Sequence, residues 1–106
     1  MTKATVMEII REAANKHGFE FEQIGNFQQI TDGKDWSKSW VNFTITEKAE
    51  WNDGTIDVRV TVSAATARMG GSQTAEDLRK AAETISRAAD LVVELENKEL
   101  VYTVEL

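Results

Sequence analysis

The sequence predicts an α+β domain, on three observations. Residues 3–17 and 74–97 repeat apolar side chains at helical spacing. The stretches between and after them alternate apolar and polar residues, the pattern of half-buried strands. Glycine-bearing turn signals cut the region between the helices into a strand meander, with no helix interposed between strands. The order α-β-β-β-α-β implies a three- or four-stranded, mostly antiparallel sheet with both helices packed on one face.

The first helix places Val6, Ile9, Ile10, Ala13 and Ala14 on one side and Glu8, Arg11, Glu12 and Lys16 mostly on the other. Gly18 follows, where a helix end favours a residue tolerant of positive φ. Residues 19–30 open with Phe19 and Phe21 against Glu20 and Glu22, a strand. Gly25-Asn26 then interrupts it, as a bulge or, less favoured because the first arm is short, as a turn between two strands. Residues 31–38 form a polar loop around Asp32-Gly33.

Residues 39–47 form the next strand. Val41, Phe43 and Ile45 lie on its core face, with Trp40, Asn42, Thr44 and Thr46 opposite. Residues 48–54 read as a loop ending in Asn52-Asp53-Gly54. Ile56, Val58, Val60 and Val62 then alternate with Asp57, Arg59, Thr61 and Ser63. These two strands pair as a hairpin whose register is strongly specified, because a slip by one residue would turn the valines into water.

The second helix carries Leu78, Ala81, Ala82, Ile85, Ala88, Ala89, Val92 and Leu95 in one stripe. Asn97-Lys98 stops it, and residues 100–106 alternate as a final strand, placed either at a sheet edge or against the first strand.

Residues 69–77, MGGSQTAED, resemble a phosphate-holding loop at a helix start. Thr74 with Asp77 instead has the form of a capping box, and Gly70-Gly71 lets the chain turn. Glu76 and Asp77 already complement the helix dipole and would repel phosphate, and the lysine of a P-loop is missing. The segment is therefore read as a helix start.

At 106 residues the chain is read as one domain, residues 1–106. It has no Cys, which removes disulfides and thiolate chemistry, and no Pro. No signal peptide or apolar membrane span is expected, and the assignment is cytoplasmic. The net charge is −6, a poor general match to nucleic acid; it serves solubility and is compatible with a basic protein partner.

The lone histidine, His17, reads as a helix-end residue. The carboxylate pairs Glu20/Glu22, Glu76/Asp77 and Glu94/Glu96 read as solvated faces. No calcium-loop spacing, nucleophile elbow or metal cluster is present, so neither an enzyme nor a cofactor is predicted.

The tryptophans are the informative residues. Trp36 and Trp51 fall in loops and Trp40 opposite Val41, so all three lie off the expected core face, either folded back over the open face or packed under the loops, or free to contact a partner. Lys34, Lys38 and Lys48 flank them in the manner of single-strand binders. Yet residues 31–70 hold six acids and five bases, a net −1.

The prediction is a small acidic protein-binding module of adaptor, chaperone or inhibitor type. Its contacts would be Trp36, Trp40 and Trp51, with Asp35 and Glu50 as a charged rim. The partner is another protein, basic charge being the better match, and an edge strand offers a second contact or a homodimer. The alternative is a nucleic-acid-associated module stacking bases on the Trp-bearing loops. The element order resembles that of the small acidic secretion chaperones, which dimerise, and no residue is carried across from them. Short length without Cys or Pro also suits a phage or mobile-element protein.

Overall fold

A computed structural model describes residues 1–25, 27–32, 40–66 and 72–106. Helix α1 (Lys3–Lys16) starts at Thr2, whose side chain accepts a hydrogen bond from the Thr5 N–H at 3.2 Å. It ends where the His17 N–H reaches the Ala13 and Ala14 carbonyls, and Gly18 turns the chain at φ 82°.

Residues 19–30 do not form one bulged strand. They fold as a hairpin of β1 (Glu20–Ile24) and β2 (Phe27–Thr31), which pair from Glu20↔Thr31 to Ile24↔Phe27. Gly25 makes the reversal affordable, because its φ of 58° is one that a residue with a Cβ rarely adopts. The short arms are held by packing: Phe19 and Ile30 are buried, and Phe21 packs against the core beneath the Arg11 guanidinium, 5.4 Å from its ring centroid. This hairpin is a separate two-stranded sheet and adds a strand to the predicted order.

The main sheet runs β3 (Val41–Asn52), β4 (Thr55–Thr66) and β5 (Val101–Glu105) in the spatial order β3-β4-β5, antiparallel throughout. Residues 48–52, expected in a loop, are strand. Only Asp53 (φ 43°) and Gly54 (φ 84°) lie between the arms, and two positive φ values give a turn whose twist matches its strands. Pairing therefore continues from Val41↔Thr66 to Asn52↔Thr55 without a bulge. β5 extends the sheet at its edge, beside β4.

Helix α2 (Ala75–Glu96) opens with the capping box. The Asp77 N–H donates to Thr74 Oγ1 at 3.1 Å, and the Thr74 N–H donates to Asp77 Oδ2 at 3.3 Å. Its buried residues are Ala81, Thr84, Ala88, Leu91 and Leu95. The predicted stripe is rotated: Leu78 and Ile85 are exposed, and Leu91 lies at its centre of burial.

Val6, Ile10 and Ala14 of α1 and Leu91 and Leu95 of α2 meet Val41, Val58, Val60, Val62 and Tyr102, so both helices cover one face of the sheet. Across it, Phe19 meets Phe43 edge to face, with ring centroids 5.0 Å apart. The opposite face exposes Asn42, Thr44, Thr46, Thr61 and Ser63. The radius of gyration, 15.8 Å, exceeds the ~13 Å usual for this length, because the β3–β4 hairpin is long.

Candidate protein-contact site

The unbroken β3 register decides where Trp51 lies. Alternate residues of a strand share a face, so Trp51 is in phase with Val41, Phe43 and Ile45. It is on the helix-covered face after all, but beyond the end of that cover, and is 71% exposed. Its neighbours across the sheet are Ile56 on β4 and then Val104 on β5. Ile56 is partly buried and Val104 is 43% exposed. One row inward, Val58 and Tyr102 are buried. The apolar face thus continues past the helices as a bare row of one aromatic and two aliphatic side chains.

The inner rim of this row is polar. The Tyr102 hydroxyl donates to Glu47 Oε2 at 3.1 Å, and Lys3 Nζ lies 3.4 Å from Glu47 Oε1. Burial, reinforced by Glu47, pushes the Tyr102 hydroxyl above its ordinary value, so it stays a neutral donor.

Glu50 is exposed beside Trp51 but alternates to the other face, opposite Asp57. Asp57 accepts from Thr103 Oγ1 at 2.8 Å and from Asn52 Nδ2 at 3.1 Å, and these bonds, Thr103 first, hold its carboxyl below the usual range. A hollow of about 390 Å³ opens here between Met1, Glu50, Asp57, Arg59, Glu99 and Val101.

The other expected contact residues do not join this cluster. Trp40 precedes β3 at a bend and packs, half buried, against the core. Strand alternation does not govern a residue outside the strand, and the side chain folds back. Eleven residues at ~3.3 Å each separate it from Trp51 by ~36 Å. Trp36 and Asp35 lie outside the described residues.

His17 faces a carboxylate that two lysines also approach. Its Nε2 lies 3.2 Å from Glu94 Oε1, which also takes Lys16 Nζ at 2.7 Å, while Lys98 Nζ is 3.6 Å from Oε2. The Lys16 hydrogen bond, then that of His17, lowers the Glu94 carboxyl to about 2. The result is an ionic clamp between the end of α1 and α2. Glu20 and Glu22 are exposed on β1, and the carboxylate that His17 meets is that of Glu94. Among the described residues, no three His, Asp or Glu side chains gather as metal ligands would.

Two further apolar surfaces escaped the sequence reading. A groove of about 420 Å³ separates α2, at Ile85, Ala89 and Val93, from Val41 and Ala64. The tip of the short hairpin exposes Ile24 and Phe27. Comparison with protein families, with curated proteins and with solved structures finds no match, so the surface is read from its own chemistry. Among the described residues, no helix is long and apolar enough to cross a membrane.

Proposed function

We propose that this protein acts by binding another protein at the bare end of its sheet, and performs no chemistry of its own. The observation that carries this reading is the row Trp51, Ile56 and Val104, an apolar strip continuous with the core and left uncovered by the helices. A tryptophan exposed within such a strip is the usual anchor of an interface, since it withdraws a large area on contact at little entropic cost. Glu50 and Glu105 at the margins of the row favour a basic partner and repel phosphate, which weighs against base stacking.

The test is capture from lysate after nuclease treatment, with the wild type beside the Trp51→Ala variant. A stoichiometric protein retained by the wild type, and lost by a variant that remains folded, supports the reading. Equal recovery by both proteins, or recovery only with intact nucleic acid, overturns it.

A further inference from the structure

We infer that the free edge of β5 takes an added strand from the partner, and that this strand alternates apolar and basic residues. The inference rests on the protein-binding reading and specifies its chemistry.

The hydrogen-bond parity of β5 is fixed by two bonds at its ends. The Leu100 carbonyl accepts from the Val60 N–H at 2.8 Å, and the Leu106 N–H donates to the Gly54 carbonyl at 3.3 Å. Even-numbered residues of this strand therefore face β4. The N–H and C=O groups of Val101, Thr103 and Glu105 point the other way, and no strand pairs with them among the described residues. Proteins blunt such an edge with charged side chains, lysine above all, with proline, with a bulge or by keeping the strand short. β5 is five residues long and reads VYTVE, without lysine, proline or a bulge, and its one charge is the acidic Glu105. The other edge differs: β3 carries Lys48.

An added strand would place its side chains alternately on the two faces of the sheet. Those level with Tyr102 and Val104 would extend the row that begins at Trp51, and need to be apolar. Those level with Val101, Thr103 and Glu105 would lie on the opposite face. There Glu50, Asp57, Glu99 and Glu105 outnumber Lys48 and Arg59, and Arg59 already lies 4.0 Å from Glu99. The hollow beside Val101 offers room for a lysine or arginine side chain among these acids.

Charge also selects against a second copy. Self-pairing centred on Thr103 would set Glu105 of one copy against Val101 of the other, supply no base to either acidic face, and join two chains of net charge −6.

The test uses a short synthetic peptide of alternating valine and lysine, a second of alternating valine and glutamate, and amide hydrogen exchange on the whole chain. Binding of the lysine peptide should newly protect the Val101, Thr103 and Glu105 amides, whereas the β4-bonded Tyr102 and Val104 amides are protected before it is added. The glutamate peptide should bind at least about tenfold more weakly, as a few rim ion pairs allow. Thr103→Pro removes an outward donor and should abolish the protection. Glu105→Lys, which leaves the pairing groups in place, should weaken binding of the lysine peptide.

Equal binding of both peptides, or protection confined to β3, overturns the inference. Protection of these amides in the wild type alone, with a dimer in solution, assigns the edge to a second copy and also overturns it. Failure of the lysine peptide, while Trp51→Ala still abolishes capture of the lysate partner, removes this inference and leaves the protein-binding reading standing. Loss of the Trp51 effect removes both.

Discussion

Replacing Trp51 by alanine distinguishes a contact residue from a core residue. A fully packed tryptophan withdraws ~150–250 Å² from water. At 71% exposure, about three tenths of that is covered by the rest of the chain, or ~45–75 Å². At ~25 cal/mol per Å² the fold should lose ~1–2 kcal/mol. Leu91, fully buried in α2, provides the scale: Leu91→Ala should cost ~2–5 kcal/mol through lost transfer energy and the cavity left behind. Urea denaturation followed by far-UV circular dichroism measures both without relying on tryptophan fluorescence. Titration of the captured partner then reads the other half, where an interface anchor should lose ~2 kcal/mol or more, about thirtyfold in Kd. A fold loss equal to that of Leu91→Ala, or an unchanged Kd, would refute the reasoning, because Trp51 would then be serving the core.

Three further outcomes follow from the geometry. Thr74→Ala removes one half of the capping box of α2 and should lower stability by ~1 kcal/mol in the same urea assay. Gly18→Ala should destabilise more than an ordinary surface change: φ is +82°, and the added Cβ would lie 2.6 Å from Arg87 Nη1, displacing a guanidinium that donates to the His17 carbonyl at 3.0 Å. The Glu94 carboxyl is lowered from 4.5 to about 2, so it binds a proton less readily folded than unfolded. Its contribution is complete above the unfolded value and disappears as the pH falls from about 4.5 through about 2. Lys16→Met, which removes the largest cause, should shrink that acid-induced loss in denaturation curves taken across the window.

The local rules of the sequence carried much of this architecture. The valines from Val58 to Val62 alternate in the chain and are buried in the fold, and Thr74 with Asp77 caps as the pattern requires. What escaped was set by partners distant in sequence. Five-residue arms around Gly25 are too short to announce a hairpin, which holds because Phe19 and Ile30 find a core made by other elements. The buried stripe of α2 depends on which side of an alanine-rich helix meets the sheet, and Leu91 rather than Ile85 was chosen. Trp51 was closer to hand. Counting by twos along one strand from Val41 puts it on the apolar face; treating residues 48–52 as a loop hid it. The row it heads needed β5, whose place beside β4 no local pattern encodes.

The docking of α1 onto α2 has a temporal consequence during synthesis. The carbonyls of His17 and Gly18 receive Arg87, whose guanidinium also lies 4.8 Å from the Phe19 ring centroid, and Lys16 and His17 find Glu94. These partners are made 69 to 78 residues later. At ~5–20 residues per second, the first helix waits several seconds on the ribosome before its C-terminal end can be secured. During that wait β4 is the outermost strand of the sheet, with the groups that later bind β5 turned toward solvent or toward whatever chaperone is at hand. Until β5 emerges and docks, the valine strand is an open template for aggregation, and the delay between the two becomes a determinant of yield.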